Sequence, residues 1–197
     1  MKSNAFKIMG IIFILASQII FPQTFFHPGR FGFGYNYSFS STSKFDIHTN
    51  TLYGSTGSGE LYLTYSKDTK NNIDVGGFGF NFYILRENKH FYPSFSAAVT
   101  STTGAVGLGI GTSIAVDIYR ESFFHVIPEF GGGLTLTNNN NDEWKPDGFG
   151  HVDFNFGIYI GKYVIFAVTP GYTLSSPNSY SSLSGGIIIA LGSVSKE

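Results

Sequence analysis

The chain of 197 residues lacks cysteine altogether, and charged residues make up only 13% of it. Without cysteine there is no disulfide, no thiolate ligand and no attachment site for the lipid of a lipoprotein. Soluble domains carry about 25% charged residues, so the low content argues against an ordinary soluble domain. The formal net charge is −1 and no basic stripe is present. This excludes the positive surface that a nucleic-acid-binding protein needs.

The abundant residues are phenylalanine (21), tyrosine (12) and glycine (25), and they follow an alternating pattern. In the segment 104–120, one parity carries large apolar residues, including Val106, Leu108 and Ile110, whereas the other carries small ones such as Gly107 and Gly109. Side chains of a strand alternate between its two faces. One face of this strand is therefore apolar and the other is nearly bare backbone. A closed barrel wall with lipid outside and a crowded interior accounts for both faces.

The pattern recurs along the chain. No segment after residue 23 has a sustained helical period, whereas ten segments alternate with period two. They are 29–39, 44–53, 60–66, 74–85, 91–100, 104–120, 123–137, 149–160, 163–175 and 183–192. The second segment is the weakest, and its pattern predicts that Phe45, Ile47 and Tyr53 point outwards.

The connections between these segments differ in length. Those at 86–90, 120–122 and 161–162 are tight, and those at 67–73, 138–148 and 176–181 are longer and polar. Such alternation is typical of outer-membrane barrels and requires an even number of strands. The predicted fold class is all-β: a single up-and-down antiparallel transmembrane β-barrel of ten strands. Eight strands is the alternative if the second and third segments are not both spans.

The first residues form a separate unit. Lys2 and Lys7 precede an apolar run over 8–21, which Pro22 ends. A basic segment followed by a short apolar one is typical of a secretory signal peptide. The run is shorter than the roughly 18–20 residues of a spanning helix, which is the alternative interpretation. We therefore expect residues 1–23 to be a signal peptide for export through the periplasm, and residues 24–197 to be the barrel domain.

Three of the predicted strands begin with proline followed two residues later by an aromatic residue. The pairs are Pro93 and Phe95, Pro128 and Phe130, and Pro170 and Tyr172. With the signal peptide, the glycine- and aromatic-rich strands and the length, this motif resembles the small outer-membrane β-barrel (porin-like) family of Bacteroidetes-type Gram-negative bacteria. The resemblance covers about residues 25–195. It implies a passive, narrow porin-like pore or a structural barrel, with outer-membrane lipids and the barrel-assembly machinery as partners.

Ionisable residues are few on the predicted inward faces. The inward candidates are Lys44, Asp46, His48, Glu60, Asp117, His125, Glu129, His151 and Asp153. A tight turn about Glu121 would place Asp117 opposite His125, with Glu129 further along the same face. A carboxylate beside an imidazole serves as a general base or compensates a buried charge. No inward serine is placed next to His125, so a catalytic triad cannot be assembled, and we expect lumen-lining charges and no enzyme.

Cofactor sites are not indicated either. His151 and Asp153 lie two residues apart on one face, but one histidine and one carboxylate fall short of a metal site. The spaced glycines of 107–111 open no helix, so they do not form a phosphate loop. We predict no cofactor, no metal and no catalytic residue. The alternatives are a barrel enzyme acting on lipid or peptide through His125 and Asp117, and a soluble ligand-binding barrel. The number of subunits is not indicated.

Overall fold

The computed structural model describes residues 30–57, 59–84, 90–120, 123–138, 144–161, 163–175 and 179–191. The predicted signal peptide lies outside these residues and stays a prediction. Regular structure in the described residues consists of β-strands. No helix in this part of the chain has the length and apolar character needed to cross a bilayer.

Ten long strands and one two-residue strand follow one another along the chain. They are β1 (Arg30–Ser41), β2 (Asp46–Gly57), β3 (Gly59–Asp68), β4 (Ile73–Tyr83), β5 (Phe91–Thr102), β6 (Ala105–Val116), β7 (Tyr119–Arg120), β8 (Phe124–Asn138), β9 (Trp144–Ile160), β10 (Val164–Ser175) and β11 (Tyr180–Leu191). The long strands pair antiparallel in chain order, and the pairings of β1 with β11 and of β6 with β8 close the ring. The ten-strand barrel is confirmed, since the weak second and short third segments are full strands of 12 and 10 residues.

The barrel has two distinguishable ends. Phe31 pairs with Leu191, so the first and last strands begin and end together at what we call the terminal end. The connections after β1, β3, β5, β8 and β10 lie at the opposite end, the loop end. The predicted contrast between short and long connections is weak, because only Thr103 and Gly104 separate β5 from β6 at the loop end. Gly104 has a φ of 94°, which a residue without a Cβ adopts readily.

Side chains sort by parity into an exposed apolar outer face and a buried inner face. Along β6, exposed and buried residues alternate throughout, with Val106, Leu108 and Ile110 outside and Ala105 and Gly107 inside. Every long strand presents at least one large exposed hydrophobic residue. An apolar surface of this extent would drive aggregation in water. The same surface is favourable in contact with acyl chains. The closed barrel also satisfies its backbone hydrogen bonds internally, as a lipid environment requires.

The second strand is inserted with the opposite parity to the one predicted. Phe45, Ile47 and Tyr53 are buried inside the barrel, and Asp46 and His48 lie on the outer face. The prediction was wrong because apolar residues are needed by the core as well as by lipid. The outer polar groups have partners near the loop end, where the Tyr37 hydroxyl hydrogen-bonds His48 Nδ1.

The interior of the barrel is filled by side chains. An apolar cluster, which we call the lumen core, comprises Phe45, Ile47, Tyr53, Tyr62, Val75, Ala98, Phe149, Ile165, Ala167, Tyr180 and Ile188. Tyr62 on β3 and Phe149 on β9 belong to strands five positions apart in the ring of ten, so the core reaches across the barrel. Phe45 and Tyr180 pack edge to face, with ring centroids 5.7 Å apart.

Candidate functional site: the polar cluster of the lumen

Beside the lumen core lies a group of polar side chains from six strands. This polar cluster consists of Glu60, Asn81, Tyr83, Ser94, Ser113, Glu129, His151 and Asp153, all of them buried. No lysine or arginine is buried among the described side chains. The polar cluster therefore contains three carboxyl groups and one basic group, the imidazole of His151.

Glu60 forms one arm of the cluster. It lies opposite Asn81 in the β3–β4 ladder, and Tyr83 follows on the same inner face of β4. Asn81 Nδ2 donates to Glu60 Oε2 at 3.3 Å, and the Tyr83 hydroxyl donates to the same oxygen at 2.9 Å. Glu60 Oε1 accepts no hydrogen bond from the described residues. The donors around this carboxyl are thus concentrated on one of its two oxygens.

Glu129 forms the second arm. The hydroxyls of Ser94 and Ser113, which are cross-strand partners, lie 2.7 Å apart. The Ser113 hydroxyl donates to Glu129 Oε1 at 2.5 Å. This chain of hydrogen bonds crosses β5, β6 and β8 and ties the Glu129 carboxyl to the wall. Such networks strengthen when every member is satisfied in a low-dielectric interior.

His151 and Asp153 form the third arm on β9. His151 Nε2 lies 3.7 Å from Asp153 Oδ2, and both side chains interact electrostatically with Glu129. Each lies against a glycine of the neighbouring strand. A Cβ added to Gly131 would lie 2.4 Å from His151 Cε1, and one added to Gly171 would lie 1.9 Å from Asp153 Oδ1. The two side chains therefore occupy space that only glycine leaves open.

The predicted lumen-lining residues Asp117, His125, Glu129, His151 and Asp153 are all buried. Glu129, His151 and Asp153 come together in the polar cluster. His125 lies nearer the terminal end, where its ring is 4.5 Å from that of Tyr159. The structure gives the positions of these five residues, whereas their role in the lumen stays a prediction.

The predicted pairing of Asp117 with His125 is wrong. Ala115 pairs with Glu129, and Arg120 pairs with His125. Between these two pairs, four residues of the β6–β7 segment (116–119) lie opposite three residues of β8 (126–128). An extra residue of this kind is a β-bulge, and it lies where β6 gives way to β7. The register extrapolated from the turn fails because it assumes an unbroken ladder, whereas Ile118 and Tyr119 are exposed in succession at the bulge.

Three further inward candidates also lie elsewhere. Lys44 is exposed, and Asp46 and His48 belong to the outer parity of β2, so none of them lines the lumen. The sequence reasoning missed Asn81, Tyr83, Ser94 and Ser113. All four have inward parity in predicted strands, and this was the available signal. Nothing in their spacing marks a network.

The chemistry open to this site is limited by its enclosure. Within the described ranges, no three histidine or carboxylate side chains are grouped as a metal site. Every member of the polar cluster is buried, so none of these groups is exposed to solvent on the described surface. The cluster is suited to holding buried carboxyl groups in fixed positions inside the wall.

Comparisons with known proteins bear on the fold. No family model matches the sequence, and no curated protein matches it. Among solved structures, the NanC porin has a TM-score of 0.50 and 8% identity over 81% of this chain and 100% of that one. The β domain of the Bordetella autotransporter Brka has a TM-score of 0.47 and 11% identity, covering 83% of this chain and 100% of that one. The KdgM porin has a TM-score of 0.45 and 7% identity, covering 81% and 99%. The likeness to NanC shows that the two chains share a β-barrel fold.

Proposed function

We propose that the protein is an outer-membrane β-barrel whose lumen is closed at rest, so that it serves as a structural barrel of the membrane. Its setting would be the outer membrane of a Bacteroidetes-type Gram-negative bacterium. It would reach that membrane through the periplasm after removal of residues 1–23. Lipids and the barrel-assembly machinery would be its partners.

The observation that carries this proposal is the lumen core. Open porins have a polar interior filled with water. Here Tyr62 and Phe149, from opposite walls, belong to one buried apolar cluster. Apolar constrictions exclude water and ions even where a narrow gap remains. The polar cluster beside the core is buried as well, so neither part of the interior offers a hydrated path.

The membrane setting is supported by the outer face. Phe33, Leu61, Phe78, Leu134 and Ile189 are each more than half exposed and come from five different strands. A soluble barrel with this surface would aggregate. The soluble ligand-binding alternative is therefore disfavoured.

Single-channel recording in planar bilayers tests the proposal. The refolded wild-type chain should give no current above background. The double substitution of Tyr62→Ala and Phe149→Ala removes rings from opposite walls of the core and should open an ion current. The matched control, Phe78→Ala with Phe154→Ala, removes two rings from the outer face and should remain silent. A steady wild-type current would overturn the closed barrel and leave the narrow pore in its place.

The narrow pore is the second candidate, and the buried carboxyl groups favour it. Charges in the lumen set the selectivity of such barrels. If the wild type conducts, it should prefer cations, and Glu129→Gln should lower that preference. An unchanged preference would mean that the ions take a path away from the polar cluster.

A further inference from the structure

The carboxyl group of Glu60 has an unusual set of neighbours. It is only 2% exposed, and no lysine or arginine is buried among the described side chains. Both donors that reach it, Asn81 Nδ2 and the Tyr83 hydroxyl, bond to Oε2. Oε1 has no donor among the described residues. A carboxylate buried in this way would be costly, since no cationic side chain compensates its charge.

The oxygen of the neighbouring amide is also without a donor. Asn81 Oδ1 is buried and accepts no hydrogen bond from the described residues. Asn81 and Glu60 are direct cross-strand partners, and Asn81 Nδ2 already donates to Glu60 Oε2 at 3.3 Å. Both orphaned oxygens belong to these two partners, and two acceptors cannot bond each other without a proton. A proton on one of them supplies the missing donor to both.

We propose that Glu60 is a proton-binding site, in which the neutral carboxylic acid donates from Oε1 to Asn81 Oδ1. The acid and the amide then form two antiparallel hydrogen bonds, O–H to Oδ1 and N–H to Oε2. The proton removes the buried charge and satisfies both orphaned oxygens at once. The proposal rests on the closed lumen, because water in an open lumen would hydrate Oε1.

The other groups that face Glu60 support this state. Tyr53, Tyr62 and Tyr83 approach it from β2, β3 and β4, and Glu129 interacts with it electrostatically from β8. None of the four carries a positive charge. Glu129, which receives the Ser113 hydroxyl, is also acidic, and two carboxyl groups that share a site disfavour a second negative charge. Of these two glutamates, Glu60 is the one that lacks a donor on one oxygen, so the proton belongs there.

Infrared difference spectroscopy on the refolded full chain tests the site directly. The wild type should show the C=O stretching band of a protonated carboxyl group, and this band should shift in deuterated water. Glu60→Gln should remove the Glu60 component, and the matched control Glu129→Gln should leave it in place. A spectrum unchanged by Glu60→Gln, or a component lost only in Glu129→Gln, would overturn the assignment.

Stability against pH provides a second readout. Glutamine at position 60 offers an N–H donor to Asn81 Oδ1 in place of the proton, so Glu60→Gln should fold. The wild-type fold binds a proton that the unfolded chain, with an ordinary glutamate pKa of about 4.3, releases. The free energy of unfolding of the wild type should therefore be largest in acid and fall with rising pH until Glu60 ionises in the folded state. Glu60→Gln should lack this pH-dependent part of the stability. Parallel profiles of the two proteins would contradict the proposal.

Failure of this inference is distinguishable from failure of the proposed function. A silent barrel without the Glu60 band would refute the proton site and leave the closed lumen standing. A conducting wild type without the band would refute both.

Discussion

The phenol ring of Tyr53 on β2 occupies the space over Gly34 on β1, its direct cross-strand partner. A Cβ on Gly34 would lie 2.1 Å from Tyr53 Cζ. The same relationship recurs where large or polar inner side chains face inner glycines: Tyr62 with Gly79, His151 with Gly131 and Asp153 with Gly171. The inner glycines thus give neighbouring side chains a bare stretch of backbone to lie against. A narrow barrel closes around bulky residues for this reason.

Gly34→Ala should destabilise the barrel by about 1–3 kcal/mol, the usual cost of overpacking a core. The added methyl group would displace the Tyr53 ring from its place. Gly54→Ala is the matched control on the adjacent strand, because there an added Cβ would meet Phe33 at an ordinary 3.6 Å. The free energy of unfolding in urea, measured in lipid or detergent, compares the two. Equal effects would show that Tyr53 yields without cost.

The free-energy cost of an arginine on the outer face should depend on its depth in the bilayer. Ile110 lies near the middle of β6, and Val106 lies near its loop end on the same face. Ile110→Arg should cost about 2–4 kcal/mol and Val106→Arg about 0–1, since the penalty is largest at the midplane. Unfolding from lipid vesicles measures both. A Val106→Arg penalty as large as that of Ile110→Arg would contradict the assigned membrane position.

Removal of the Ser113 hydroxyl should weaken the polar cluster. Ser113→Ala takes from buried Glu129 the hydroxyl that donates to its Oε1. An acceptor left short of a donor in the interior costs about 1–3 kcal/mol. Ser101→Ala removes an exposed hydroxyl of β5 and should change stability by less than about 0.5 kcal/mol. Chemical unfolding of both variants is the measurement, and a neutral Ser113→Ala would mean that Glu129 does not depend on this bond.

Trp144 should lie in water beyond the membrane. It begins β9, which at 17 residues exceeds the roughly 9–11 residues a tilted strand needs to cross. Its side chain is 47% exposed, and it is the only tryptophan of the chain. Its fluorescence should be quenched by aqueous acrylamide and be insensitive to lipids brominated on their acyl chains. The double variant Trp144→Phe with Phe154→Trp moves the probe to the middle of the outer face and should reverse the result. Quenching of native Trp144 by the brominated chains would place the β8–β9 hairpin in the bilayer.

Local patterns were sufficient to predict most of the wall. The ten strands, their antiparallel order and the outer face of β6 follow from alternation within single segments, such as that around Leu108 and Ile110. Alternation of this kind is a property of one strand, because a strand turns successive side chains to opposite faces whatever its neighbours are. The low content of charged residues, which distinguishes the chain from an ordinary soluble protein, is also a property of composition alone. These features were determined by the sequence without reference to any contact.

Features that depend on neighbouring strands were decided only by the tertiary structure. Apolar Phe45, Ile47 and Tyr53 suit a lipid-facing and a core-facing position equally, so the parity of β2 depended on what lies across the lumen. The bulge that changes the register of Asp117 against β8 depends on the pairing of β6 and β7 with β8. The role of Gly34 required Tyr53 beside it, and the closure of the lumen required Tyr62 and Phe149 from opposite walls. An alternating pattern defines two faces, but only packing determines which face is inside and whether the inside is full.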